Sequence, residues 1–269
     1  LDSQDITVED PGITLTIGGQ TSYDKYLDDN IDGANGHANT LIEGVKVSTN
    51  VDLSIINEYA ATLAGSDMGE AEITSGEYVV ASYGNLTRTA FASYPMKATL
   101  KVGGITVTAE KTFHLTGLPY EVNFATGNPT NLNPAWGTPL GSAEYSDKRI
   151  TYKGGLISDA DGAIVSPKFN IPDEKMITVL TYADVCCKKD DTKLHVEPCS
   201  SGSQTISFGS VTVTAHKIGA FSSLSSKGYI QASSTVVLNN SVPCLMYAAT
   251  GPAYSYNVGF YQVKINYSN

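Results

Sequence analysis

Charge is scarce in this sequence. Asp, Glu, Lys and Arg make up 16% of its 269 residues, and acidic side chains outnumber basic ones 27 to 17. The resulting net charge of −10 excludes a basic platform for nucleic acid or an anionic membrane, since both need clustered Lys and Arg. No run approaches the roughly 20 apolar residues that a membrane helix requires, so a helical span is excluded too. Cysteine is limited to four residues. None forms a CxxC pair and the histidines are not at metal spacing, which excludes a structural zinc site of the usual kind. The familiar signatures of chemistry are missing as well. There is no Gly-x-Ser-x-Gly elbow, no Ser-x-x-Lys with its partner motifs, no HExxH, no phosphate-cradling glycine loop and no cysteine flanked like a protease nucleophile.

What is present points to strands. Hydrophobic residues make up 41% of the chain, with 25 Gly and 16 Tyr beside abundant Thr, Ser and Val, a composition suited to strands and turns. The length suffices for two domains, each burying its own core. Composition shifts near residue 118. Residues 1–118 carry 16 acidic and 6 basic side chains, residues 119–269 carry 11 of each, and all four Cys, Trp136 and nine of the eleven Pro come after the shift. Periodicity breaks there too: Ile105 to Leu115 alternates, Gly117 and Pro119 interrupt, and Tyr120, Val122 and Phe124 begin a new alternation. The expectation is an all-β chain of two β-sandwich domains, residues 1–118 immunoglobulin-like and 119–269 a jelly roll. It opens at Leu1 without Met, as after removal of a leader or trimming.

In the first domain, strands are expected at Ile13–Ile17, Leu41–Val47, Glu77–Tyr83, Pro95–Val102 and Ile105–Leu115, with Gly103-Gly104 as a tight hairpin between the last two. Residues 51–63 are ambiguous between strand and helix, and are read as a strand running into a short helical turn, with Asn50 as a helical cap. The early loop holds Asp28-Asp-Asn30-Ile-Asp32-Gly33, oxygen donors at alternate positions before a glycine, as in the first half of a calcium loop. Asp28, Asn30 and Asp32 are thus candidate ligands for a structural calcium. Asn39 stands where the closing bidentate Glu would be, and the same composition suits a solvated turn. No other cofactor is implied.

In the second domain, strands are expected at Arg149–Tyr152, Ala163–Phe169, Met176–Cys187, Lys193–Pro198, Thr205–Lys217, Gly228–Leu238, Ser241–Ala248 and Asn257–Tyr267, the spacing of a jelly roll. Asp159 and Asp161 suit a turn better than a metal site. Cys186 and Cys187 should face opposite ways, and among Cys186, Cys187, Cys199 and Cys244 the readings are buried free thiols or one hairpin bridge, from Cys187 or Cys186 to Cys199. A glycosidase would need two facing carboxylates; most acidic residues here fall in turns, with Asp184 and Glu197 as exceptions. Sugar binding needs flat aromatic faces beside planar polar groups. The candidates are Trp136, Tyr145, Arg149, Tyr152, Tyr254, Tyr256 and Asn257, although such rings also serve as ordinary core.

Three stretches, Gly76-Glu-Tyr-Val-Val-Ala-Ser-Tyr-Gly84, Lys111 to Tyr120 with its Leu-Thr-Gly-Leu-Pro-Tyr, and Ile164-Val-Ser-Pro-Lys-Phe169, resemble surface lipoproteins of gut Bacteroidetes. Those proteins pair an immunoglobulin-like, sometimes fimbrillin-like, domain with a jelly roll similar to carbohydrate-binding modules. The resemblance implies export to the cell surface, a lipid anchor on a cysteine in a removed leader, and adhesion or glycan capture; it carries over no catalytic residues. The expected function is non-enzymatic binding of a glycan or surface protein by a monomer. The alternatives are an appendage subunit that exchanges Ile13–Ile17 or the final strand as an edge, and a glycoside hydrolase.

Overall fold

The computed structural model describes residues 12–24, 39–69, 78–153, 162–186, 193–200, 212–214, 229–250 and 257–269. Among these the protein is all-β: strands joined by turns, with three single-turn 3₁₀ segments. The chain divides into two compact units, one comprising Leu1–Tyr23, Leu41–Arg88 and Ala92–His114, the other Asp24–Thr40, Thr89–Phe91 and Leu115–Asn269.

The strands of the first part of the chain are β1 (Leu15–Ile17), β2 (Ser22–Tyr23), β3 (Asn39–Ile42), β4 (Val45–Thr49), β5 (Ile56–Leu63), β6 (Ser66–Asp67), β7 (Val79–Tyr83), β8 (Leu86–Thr89), β9 (Ser93–Val102) and β10 (Ile105–Leu115). One sheet runs β1-β4-β7, a second runs β2-β10-β9-β5-β6, and β3 pairs with β8. In order and position β1, β4 and β7 correspond to strands A, B and E of an immunoglobulin-like sandwich, and β5, β9 and β10 to C, F and G. Alternation explains the packing. Met96, Ala98, Leu100 and Val102 of β9 turn inward, as do Val45 and Val47 of β4 and Ala61 and Leu63 of β5, which is the period of two that a half-buried strand imposes. The hairpin expected at Gly103-Gly104 is present: Val102 pairs with Ile105, and both glycines have positive φ, 61° and 122°.

Residues 51–63 reverse the expected order. A 3₁₀ turn at Leu53–Ile55 comes first and the strand Ile56–Leu63 comes second. The cap is Asp52, whose carboxylate accepts from the Ser54 amide at 2.8 Å. Asn50 is engaged elsewhere, its side chain bonded to Gly12 O at 2.7 Å and Thr14 N at 2.9 Å. Ile56 and residues 58–63 pair along β9, and that ladder overrides the weak helical spacing of Leu53, Ile56, Ala60 and Leu63.

The second unit continues with β11 (Tyr120–Asn123), β12 (Leu140–Gly141), β13 (Ala143–Ser146), β14 (Arg149–Lys153), β15 (Gly162–Val165), β16 (Lys175–Cys186), β17 (Lys193–Cys199), β18 (Thr212–Thr214), β19 (Tyr229–Leu238), β20 (Cys244–Thr250) and β21 (Asn257–Tyr267). One sheet has the order β13-β14-β21-β16-β19, with β11 also on β21, and the other β12-β15-β20-β17-β18. The chain passes back and forth between the sheets, so that β14-β21-β16-β19 lies in one and β15-β20-β17-β18 in the other. This is the strand order of a jelly roll.

The final strand is not an edge. β21 pairs with β16 on one flank and with β14 and then β11 on the other. Exchange of this strand would dismantle the sheet, so the expectation that it could serve as a free edge is corrected. Among the described residues, β1 pairs with β4 alone in its sheet.

The core of this unit is an aromatic cluster. Phe260 is fully buried and stacks on Tyr247 at 4.7 Å and 24°, with Phe124 edge-on at 5.6 Å. Buried hydroxyls and ring N–H groups need partners, and the cluster supplies them. Trp136 Nε1 donates to Tyr120 OH at 2.8 Å, and Tyr152 OH donates to the Tyr247 carbonyl at 2.7 Å. Close by, Gly117 has φ +83°, and a Cβ there would lie 2.5 Å from the Phe91 ring, which packs on Tyr120 and Phe169. Only glycine lets that ring approach the chain.

This core makes two outcomes measurable. Phe260→Ala should destabilise the second unit by about 3–5 kcal/mol, read by urea denaturation; a loss under about 1 kcal/mol would contradict the packing described. Burial also raises the phenol pKa of Tyr120, Tyr152 and Tyr247 above the ordinary 10.0. The folded state therefore holds these protons more tightly than the unfolded chain. Their stabilising contribution is complete below about pH 10 and is lost as pH rises above it, so Tm should fall steeply between about pH 10 and 11.5.

Candidate functional site

A β-bulge on β21 builds the most functional-looking surface of the second unit. Along its ladder with β16, Tyr182 pairs with Gln262 but Ala183 pairs with Phe260, so Tyr261 is the extra residue. A strict alternation would turn every side chain beyond Phe260 the wrong way. The inserted residue absorbs the shift: Phe260, Val263 and Ile265 are all buried, while Tyr261 and Gln262 both stay half-exposed on the opposite face.

β16 alternates without interruption. Ile177, Val179, Thr181 and Ala183 are buried, and Thr178, Leu180 and Tyr182 are half-exposed between them. Tyr182 thereby stands beside Tyr261, ring centroids 6.4 Å apart and planes inclined at 45°. Two half-open tyrosine rings on neighbouring strands present an apolar surface that also carries hydroxyls.

Polar groups flank the pair. Gln262 Nε2 donates to Glu121 Oε1 at 2.6 Å, and Lys264 Nζ lies 3.1 Å from the same oxygen. With its nitrogen so engaged, the Gln262 amide presents its carbonyl oxygen as an acceptor. On the same flank of β21 as β11, nearer its start, is β14, where Ile150 pairs with Phe260 and Thr151 with Gly259. Arg149 precedes Ile150 and extends its stem over Gly259, where a Cβ would meet Arg149 Cδ at 3.1 Å. Its Nη1 donates to the Asp147 carbonyl at 2.8 Å. The face thus combines paired aromatics with guanidinium, amide, carboxylate and ammonium groups.

Of the residues singled out in the sequence, Arg149 belongs to this face. Trp136 and Tyr152 do not: they are 2% and 0% exposed. Trp136 packs on Phe124 at 5.1 Å and on Tyr247 at 5.7 Å, contacts from distant parts of the chain that draw its Pro- and Gly-rich loop over the core. Neither ring keeps an open side for a sugar. Tyr145 is half-buried against the same core and its hydroxyl donates to the Phe124 carbonyl at 2.8 Å. Asn257 begins β21, opposite Lys153 and Cys186. Tyr254 and Tyr256 lie outside the described residues, as do Asp28, Asn30 and Asp32 of the candidate calcium loop, Asp159 and Asp161, and Cys187.

Tyr182, Tyr261 and Gln262 are not among the residues that the sequence pattern singles out, yet a signal exists. Phe260, Val263 and Ile265 are apolar with a three-residue step between the first two, a phase slip that marks a bulge. The strand carboxylates Asp184 and Glu197 stand on different sheets, and Glu197 is buried. Among the described residues no group of three or more His, Cys, Asp or Glu side chains is placed to hold a metal ion.

The sequence matches no protein-family model and no curated protein. Among solved structures, the K1 cleaved adhesin domain of Lys-gingipain from Porphyromonas gingivalis shares 15% identity at a TM-score of 0.38, over 56% of this chain and 98% of that one. The K3 cleaved adhesin domain of the same protein shares 13% identity at 0.33, over 44% and 72%. A calcium-binding mutant of Bacteroides uniformis beta-glucuronidase 2 shares 12% at 0.27, over 97% and 31%. Similarity this shallow transfers no activity.

The flanking polar network is exposed at both ends, so its contribution to folding should be small. Glu121→Ala should cost less than about 1 kcal/mol in urea denaturation, whereas Trp136→Ala should cost about 3–5 kcal/mol. Equal losses would mean that the face is structural rather than available.

Proposed function

We propose that the protein is a non-enzymatic, exported binding protein acting at the cell surface as a monomer, and that its jelly roll captures a glycan on the face of β16 and β21. The observation that supports this reading is the half-exposed Tyr182–Tyr261 pair, held out by the bulge beside Gln262 and Arg149. A pyranose ring has a C–H face that rests on an aromatic surface, and hydroxyls that require planar donors and acceptors. Tyr182 and Tyr261 supply the first. The Gln262 amide, the Glu121 carboxylate and the Arg149 guanidinium supply the second.

The charge of the neighbourhood narrows the ligand. Arg149, Lys264 and Glu121 together suit neutral or mildly acidic sugars rather than polyanions. In this site Tyr182, Tyr261 and Gln262 take the places that sequence composition assigns to Trp136, Tyr145 and Tyr152. Residues 1–118 act as a spacer domain and residues 119–269 as the binding domain.

The test is a glycan array probed with the full chain, then affinity measurement on the best ligand. Tyr261→Ala and Tyr182→Ala should each weaken binding about tenfold, the loss of roughly 1.4 kcal/mol of stacking, with Tm nearly unchanged. Wild-type affinity in the Tyr261→Ala protein would overturn the site. A blank array combined with concentration-dependent self-assembly that requires β1 would instead favour an appendage subunit.

A further inference from the structure

The sheet carrying β17 and β20 is buried on both faces. Val196, Leu245 and Tyr247 turn into the aromatic core, while Cys199, Cys244, Met246, Ala248 and Ala163 form a separate buried cluster on the other side. Within that cluster two cysteines face each other. Cys199 ends β17, Cys244 begins β20, and the ladder pairs them directly. Both are buried free thiols in this structure, 8% and 2% exposed.

Residues directly opposite in an antiparallel ladder have Cα atoms about 4.5 or 5.5 Å apart, and a disulfide spans Cα separations of about 4.4–6.8 Å. The ladder also ends at this pair, so the backbone on one side of it is free to adjust. A pairing of Cys199 with Cys186 is less well placed. Cys186 sits on β16 opposite Asn257 of β21, in the other sheet.

We propose that Cys199 and Cys244 form a cross-strand disulfide when the protein folds in an oxidising compartment, closing the end of the β17–β20 ladder. The inference is independent of the glycan reading. The oxidant is a low-molecular-weight disulfide or a protein dithiol oxidase. One cysteine, as thiolate, attacks a sulfur of the donor disulfide and expels one donor thiolate. The second cysteine then attacks the protein sulfur of the mixed disulfide, forming the Sγ–Sγ bond and expelling the second donor thiol. Two protein thiols and one donor disulfide become one protein disulfide and two donor thiols.

Timing is set by burial. It pushes the Cys199 thiol up to about 12 and the Cys244 thiol up to about 11, from 9.0. The attacking species is the thiolate, so the closed sandwich disfavours the reaction and the unfolded or folding chain permits it. The bond forms during folding and is then shielded from reductants.

The experiment uses the full chain, reduced and unfolded, then refolded in a buffer of reduced and oxidised glutathione, with residual thiols blocked by iodoacetamide before nonreducing tryptic mapping. Trypsin separates the relevant cysteines, because Lys188, Lys193, Lys217, Lys227 and Lys264 place Cys186 and Cys187, Cys199, and Cys244 on three peptides. The expected product is a linked pair of peptides 194–217 and 228–264. Its Tm should exceed that of the fully reduced protein by roughly 5–15 °C, and Cys244→Ser should abolish the increment while Cys186→Ser keeps it. Natively folded, reduced protein given the same glutathione buffer should acquire the bond at least tenfold more slowly. A link from Cys199 to the Cys186–Cys187 peptide, or four alkylated cysteines after refolding, would overturn the proposal, and peptide mapping of the unmutated chain decides this even if a variant fails to fold.

Discussion

Side chains of a strand alternate between two faces, and β21 must satisfy that rule twice with its phase reversed. Its first half places Phe260 against Tyr247, Tyr152 and Phe124, and its second half places Val263 and Ile265 in the same core. An even spacing would connect the two halves without interruption; the step from 260 to 263 is odd. The extra residue at Tyr261 resolves the conflict, and much of the second unit depends on it. The bulge keeps the aromatic core continuous, holds β16, β14 and β11 in register on the two flanks, and turns two consecutive polar-tipped side chains outward.

Core and surface therefore share one cause. Phe260 is driven inward by the burial of a large apolar ring, about 1.5–3 kcal/mol by area alone, and Val263 is drawn in by the same force. Tyr261 and Gln262 are left outside because both inward places are taken. The half-exposed tyrosine pair stands on two strands, each bonded along both edges, and stacked rings anchor β21 beneath. A surface so supported loses little freedom on binding a ligand, which is the advantage of building a site on regular elements rather than on loops.

What can be read from the sequence depends on the range of the interactions involved. The Gly103-Gly104 hairpin is legible because a two-residue turn with positive φ is a local matter. The long alternations of β9, β10 and β16 are legible for the same reason, and with them the all-β class. Residues 51–63 mislead because Asp52 captures the Ser54 amide while the ladder with β9 claims Ile56 and residues 58–63, and only the first of these interactions is local. Trp136 sits among Pro and Gly, where nothing nearby reveals that Phe124 and Tyr247 will enclose it. Cys199 and Cys244 meet only because β17 pairs with β20, a contact between distant segments. The bulge lies between these extremes, since its phase slip is visible in Phe260, Val263 and Ile265 but its outward product, Tyr261 beside Tyr182, needs the neighbouring strand.

The position of β21 in the sheet also constrains how the molecule is made. A ribosome delivers β11, β14 and β16 well before it delivers Asn257–Tyr267, yet that strand separates β16 from the other two. Until it emerges, the nascent chain holds two halves of a sheet with unpaired inner edges, and Tyr152 and Tyr247 lack the ring that stacks between them. Contacts such as Tyr120 with Ile265 span most of the second unit, a topology that folds slowly. Completion of this unit thus waits for its last strand, and its open edges need shelter from pairing with other chains in the meantime.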